Sequence, residues 1–215
     1  MSGEMSEYER VKKILALLER EHPDAKVTLE FSNPLELLVA TILAAQCTDA
    51  KVNQITKTLF KKYKTAEDYA NADLTTLENE IKSTGFYRAK AKRIKDACQV
   101  LVDRFGSKVP QTMDDLLKVP GVARKTANIV LSNAYGKFEG IAVDTHVLRL
   151  VKRLGLVKSR TREKIEADLM QMVPKESWLR FSDLLVFHGR RVCNAKKPKC
   201  NQCVLKDLCP SAFSF

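Results

Sequence analysis

Four of the six cysteines, Cys193, Cys200, Cys203 and Cys209, fall within the last 23 residues in the order C-x6-C-x2-C-x5-C. Thiolates at this density repel one another unless a cation or a cationic cluster holds them. With no secretion signal in view, clustered thiols read as a metal site rather than a disulfide framework. The residues between them (Lys196, Lys197, Pro198, Lys199, Asn201, Gln202) suit a loop wrapped around an inorganic centre. Zinc usually takes two short knuckles and only one C-x2-C is present, so spacing leaves zinc and iron–sulfur open and favours the second. A redox C-x-x-C enzyme ranks third, because no βαβ pattern surrounds Cys200 and Cys203. Cys47 and Cys98, at a helix end and on an apolar helical face, read as packing residues.

A second group lies mid-chain. Val119-Pro120-Gly121-Val122-Ala123-Arg124-Lys125 joins two helical patterns through a Pro-Gly turn. The first N–H groups of the second helix then lack partners and, with the helix dipole, make a phosphate seat. A plain helix hairpin would need no more than this. The stretch is not a nucleotide P-loop, since Arg124 stands where that motif needs glycine and no strand precedes it. Lys125 follows Arg124 on the first helical turn, where cationic neighbours and the positive helix end disfavour a charged ammonium. A lysine kept partly neutral can attack a carbon electrophile and form an imine. Asp144 comes 19 residues later at the start of its own helix. It reads as an N-cap, and beside a nucleophilic amine its carboxylate can take a proton or stabilise a developing cation.

The elements that must position these groups are helices. Val11, Ile14, Leu15 and Leu18 give one amphipathic helix. Asn33-Pro34-Leu35-Glu36 opens another, to about Ala45. Thr48, Asp73 and Thr112 head further helices. A stripe of Ile94, Ala97, Cys98, Leu101, Val102 and Phe105 is closed by Gly106. Arg124–Ala134 ends at Gly136, and the helix capped by Asp144 stops at Gly155. Thr161–Met172 and Trp178–His188 complete the set, with Gly189 as the last stop. Trp178, Phe181 and Leu185 read as helix core, and His146 and His188 as structural histidines. Ile141–Val143 is the one extended stretch. The fold class is therefore all-α.

Charge narrows the partner. The chain has 215 residues and a formal charge of +11, which favours a polyanion with strong salt dependence. Its 45% hydrophobic content is that of a folded protein, neither disordered nor a disulfide miniprotein. No apolar run approaches a membrane span, and Met1–Arg10 is too acidic and polar for a signal peptide.

Taken together, these segments resemble the endonuclease III family of DNA glycosylases. Val119–Ala127 is similar to its helix–hairpin–helix, Val143-Asp144-Thr145-His146-Val147 to its aspartate signature, and the four-cysteine loop to its cluster motif. Ala45-Gln46-Cys47-Thr48-Asp49 and Gly85-Phe86-Tyr87-Arg88-Ala89-Lys90 resemble its DNA-facing segments, and the match runs from about residue 8 to 210. The resemblance implies a six-helix barrel lobe over residues 27–138, with the hairpin at about 112–134. It implies a second lobe of residues 1–26 and 139–215, holding a [4Fe–4S] cluster on Cys193, Cys200, Cys203 and Cys209 of the 193–209 loop, with duplex DNA in the cleft between lobes. Lys125 would attack C1′ of a flipped, damaged nucleotide and nick the abasic site by β-elimination, assisted by Asp144. Gln46 would fill the vacated stack and Phe86 would wedge into it. Pro120, Gly121, Val122, Ala123 and Arg124 of the hairpin, with Arg190, Arg191 and Lys197 near the cluster, would contact DNA. Ala123 stands where relatives often carry glycine, and a Cβ there restricts positive φ.

The expected activity is removal of oxidised pyrimidines from duplex DNA by a monomeric, cytoplasmic, nucleoid-associated repair enzyme with no membrane partner. One rival is a monofunctional mismatch or adenine glycosylase using water as nucleophile, against which Lys125 argues. The other is a non-catalytic iron–sulfur DNA-binding module, against which the Lys125 and Asp144 pair argues. Lesion preference is not legible, because the pocket walls come from several loops.

Overall fold

The structure, a computed structural model, describes residues 6–214; Phe215 and the first five residues of the acidic N-terminal stretch lie outside them. In chain order the α-helices are α1 (Glu7–Glu21), α2 (Pro34–Leu43), α3 (Asp49–Lys62), α4 (Ala66–Ala70), α5 (Leu74–Glu80), α6 (Tyr87–Phe105), α7 (Met113–Leu116), α8 (Arg124–Tyr135), α9 (Thr145–Arg153), α10 (Arg162–Met172) and α11 (Trp178–Arg191). Short 3₁₀ turns sit at Lys82–Thr84, Lys175–Ser177, Cys200–Gln202 and Lys206–Leu208. No strand occurs among the described residues, so the chain is all-α.

Local chemistry sets most boundaries. Asn33, Thr48, Asp73, Thr112 and Asp144 each accept a backbone N–H of the first turn they precede, a device worth about 1 kcal/mol. Pro34 takes the first helical position, where its missing N–H costs nothing. Glu36 reaches back to Ser32 N at 2.6 Å, one residue before the cap. Gly106 and Gly136 end α6 and α8 in the left-handed conformation.

One expectation is corrected, and two features go beyond what the sequence showed. Helix α4 was not foreseen, although Thr65 and Asp68 form a capping box around its first turn. The segment Ile141–Val143 is extended but pairs with no strand; its middle carbonyl, Ala142 O, accepts from the Ser182 hydroxyl at 3.0 Å. Gly189 does not stop α11, which runs on to Arg191. A Cβ at Gly189 would meet Arg149 Nη2 and His146 Nδ1, both at 2.9 Å, so this glycine serves close helix packing.

The chain divides into two units, the described parts of Met1–Val27 with Gly140–Phe215, and Thr28–Glu139. In the second, α2 buries Leu37, Leu38, Val39, Ala40, Ile42 and Leu43 and packs on α3, α6 and α8. Helix α6 also packs on α4 and α5, burying Ile94, Ala97, Cys98 and Leu101. In the first unit α11 packs on α9 and α1 through Phe181, Leu184 and Leu185. Truncating any of the buried leucines, isoleucines or Phe181 among them to Ala costs about 2–5 kcal/mol. Trp178 belongs to this core, with its indole N–H bonded to Val173 O at 2.9 Å.

Candidate functional site

Helix α8 begins without a side-chain cap. Its N-cap residue is Ala123, so the first-turn amides of α8 lack the carboxylate or hydroxyl that serves α9 or α3. The turn before it depends on Gly121, whose φ of 81° places it in the left-handed region. The Arg93 side chain packs 3.5 Å from where a Cβ on Gly121 would lie. Ala123 has φ −92° and ψ 168°, ordinary extended backbone, so the alanine costs this hairpin nothing. Val122 is buried and its N–H bonds Val119 O at 3.1 Å, so neither its side chain nor its amide faces outward. Gly121, Ala123 and Lys125 are exposed, and Pro120 and Arg124 are half-buried. Lys125 therefore sits on the first turn of an uncapped helix and takes part in no ion pair among the described residues.

Asp144 belongs to the other unit. It caps α9, with Oδ1 accepting from His146 N at 2.7 Å and Val147 N at 2.8 Å. One carboxylate oxygen is thus spent on fixing the side chain, and the side chain remains only half-buried. Burial pulls the neighbouring His146 imidazole below its usual pKa, and its Nδ1 lies 3.1 Å from Arg149 Nη2.

The four terminal cysteines line one cavity of about 30 Å³ together with Arg153, Val192, Pro198, Lys199, Lys206 and Ala212. Burial pushes the Cys203 thiol up to about 11 and raises that of Cys209, so binding a metal there must release protons. Zn–S bonds of about 2.3 Å would hold four sulfurs within roughly 3.8 Å of one another. Among the described residues no three cysteine, histidine or carboxylate side chains converge closely enough to hold a single ion. Four thiols around one cavity are the soft donor set that zinc or an iron–sulfur cluster takes. Donors to sulfur are also in place: Arg153 Nη1 is 3.2 Å from Cys193 Sγ, and Leu205 N is 3.4 Å from Cys203 Sγ. Such donors temper thiolate charge around an iron–sulfur centre.

Several supports of this loop carried no sequence signal. Arg149 donates to Gly189 O and Cys193 O, both at 2.9 Å, while Arg153 bonds Asn194 O and Ala195 O. Arg10 reaches Leu208 O at 2.8 Å and also bonds Leu154 O. His188, read from sequence as a plain structural histidine, is buried 3.3 Å from Cys203 Sγ and 3.0 Å from His22 Nε2. Burial lowers it to about 4, keeping it neutral. The spacing of Arg149 and Arg153 put them on one helix face, but only the fold shows what that face meets.

The expected DNA-inserting residues share a backbone signature. Gln46 and Phe86 both adopt positive φ, 53° and 49°. Phe86 is 67% exposed, which excludes an ordinary core role, and Gln46 is exposed beyond the end of α2. Lys197 and Arg190 are exposed. Arg191 is engaged differently: it makes a two-pronged pair with Asp24 at 2.9 and 2.6 Å, which holds that carboxyl down to about 2, and it lies 4.7 Å from the Phe187 ring centroid.

Comparison with known proteins bears on this arrangement. Residues 39–175 match the model of the HhH-GPD superfamily base excision DNA repair protein family. The chain is 49% identical to endonuclease III of Synechocystis sp. over 207 residues, which is 96% of this chain and 94% of that one. A solved endonuclease III–DNA non-covalent complex superposes with TM-score 0.91 at 44% identity, covering 95% of this chain and 96% of that one. A trapped endonuclease III–DNA covalent intermediate matches with the same score, identity and coverage. An all-helical chain with a hairpin, an aspartate-capped helix and a four-cysteine cavity, matched over nearly its full length, thus belongs to the endonuclease III family of base excision DNA repair proteins, the glycosylase/AP lyase branch of the HhH-GPD superfamily.

Proposed function

We propose that this enzyme excises oxidised pyrimidines from duplex DNA through a Schiff base on Lys125 and then nicks the strand. The Lys125 amine attacks C1′ of the flipped nucleotide, the C1′–N glycosidic bond breaks, and the base leaves with a proton. Opening of the C1′–O4′ bond gives an imine between Lys125 and the sugar. Loss of a C2′ proton then expels the 3′ phosphate by β-elimination. Asp144, fixed through Oδ1, presents its other oxygen to the positive charge that develops on the sugar, or takes the proton from the attacking amine. Extruding a nucleotide costs a few kcal/mol and least for a poorly stacked, damaged base, which favours oxidised pyrimidines.

The uncapped start of α8, with Gly121, Ala123 and Arg124, seats a phosphate and presents Lys125 to the adjacent sugar. Gln46 fills the vacated stack and Phe86 wedges into it. Arg190, Arg191 and Lys197 add phosphate contacts, Arg191 by exchanging its bond to Asp24. Val122 serves by packing only. Cys193, Cys200, Cys203 and Cys209 hold a [4Fe–4S] cluster, which supplies a rigid centre for the basic loop. Residues 27–138 form the six-helix barrel lobe, and 1–26 with 139–215 the cluster lobe. The enzyme works as a monomer in the nucleoid.

The observation that carries this reading is the exposed Lys125 on the first turn of an uncapped helix, in a chain so similar to one trapped covalently on DNA. Borohydride trapping on a duplex with one thymine glycol tests it. A crosslink with the parent and none with Lys125→Ala is expected. Base release by the parent with no crosslink would mean a water nucleophile and a monofunctional enzyme.

A further inference from the structure

A lysine inside a helical unit is costly unless its charge is met by acceptors. Lys90, on the first turns of α6, is only 1% exposed, and burial pulls its pKa down. Its Nζ donates to Leu43 O at 2.8 Å and to Thr84 O at 2.9 Å. Leu43 is the last residue of α2, three before Gln46, and Thr84 closes the 3₁₀ turn two residues before Phe86. Both carbonyls lie at the ends of helical segments, where acceptors lack intrahelical donors and the dipole favours a cation. Charge-assisted bonds of this kind are short and directional.

The loops tied by this ammonium each hold a non-glycine residue at positive φ, Gln46 ahead of α3 and Phe86 at the start of α6. Such conformations persist only where the surroundings over-determine them. Lys90 N also bonds Phe86 O at 3.1 Å, so this residue grips the Phe86 turn from both its backbone and its side chain. We infer that Lys90 is a positioning residue that fixes Gln46 and Phe86 relative to each other, so that the filler and the wedge enter the DNA stack as one unit. This rests on the insertion roles proposed for Gln46 and Phe86. Lys90 does not touch DNA; it sets the separation of two groups that do. An apolar side chain would fill the space but leave two carbonyls unsatisfied and the loops free to part.

The test compares Lys90→Met with the Gln46→Ala/Phe86→Ala double variant, each measured for base release from a thymine glycol duplex. Crosslinking to a single-stranded abasic oligonucleotide, which needs no stack insertion, is the control. Lys90→Met is expected to lower duplex kcat/KM by about 10- to 100-fold, the scale of a misplacement near 1 Å. Its single-strand crosslinking should stay within about 2-fold, and in the double-variant background the added loss should fall below about 3-fold, because coupled residues are not additive. Parallel loss on both substrates would mark general structural damage and overturn the proposal, as would an unchanged duplex rate. If the double variant itself is unimpaired, the insertion roles fail and Lys90's with them; if only the double variant is impaired, Lys90's role alone falls. Should Lys90→Met not fold, Lys90→Arg keeps a buried cation, and duplex loss without single-strand loss remains the supporting result.

Discussion

At the scale of single residues, environment rather than type decides behaviour. Burial lifts the Asp183 carboxyl on α11 to about 6, against the opposing pull of Arg180. Between about pH 4 and 6 the folded chain therefore holds a proton that the unfolded chain has lost, so stability falls as pH rises through that window. Asp183→Asn is expected to flatten that slope in thermal melting from pH 4 to 7.5. It should also raise stability at pH 7 by about 1–3 kcal/mol, since one pKa unit is worth about 1.4 kcal/mol. A slope equal to the parent's would show that Asp183 is solvated after all. Ala123 teaches the same lesson in reverse: the left-handed position of the hairpin belongs to Gly121, so the alanine next to α8 is unstrained.

At the scale of elements, α9 joins the two kinds of chemistry in its unit. Its first turn is capped by Asp144, and further along the helix Arg149 and Arg153 hold the cysteine loop. The close approach of α11 that permits this depends on Gly189. Gly189→Ala pushes a methyl group against Arg149 and His146, an overpacking that costs about 1–3 kcal/mol. The expected result is a lower melting temperature together with faster loss of the proposed cluster's visible absorbance under a chelator, because Arg149 leaves Cys193 O. An unchanged absorbance decay would break the proposed link between helix crossing and loop integrity.

At the scale of the whole molecule the charge excess governs encounter with DNA. A formal +11, with the open start of α8 and exposed Lys197, predicts that binding to an abasic duplex weakens steeply with salt. For about five phosphate contacts the slope of log K against log salt is near −4.5. Arg191→Ala should change that slope by less than one contact, because Arg191 first has to leave Asp24. A full unit of change would show that the ion pair opens freely on DNA. Among the described residues no helix is long and apolar enough to cross a membrane.

Most features encoded within a few residues were legible in the sequence, the capping box of Thr65 and Asp68 that opens α4 excepted. Caps at Asn33, Thr48, Asp73, Thr112 and Asp144, glycine stops at 106 and 136, and helical periodicity all act over one or two turns, and all appear where expected. The order of hairpin, aspartate and cysteines was equally plain, because chemistry demands those residue types. What depends on a neighbour distant in the chain was not legible. Gly189 reads locally as a stop, and only the approach of α9 makes it a packing residue. His188 reads as core until Cys203 is folded against it. Lys90 looks like one more charge on a basic helix, and only the tertiary structure withdraws it from water and gives it two carbonyls to hold. Sequence determines a side chain's chemistry and its local helix; burial and partners, which set what that chemistry is used for, come from contacts that close only when the chain folds.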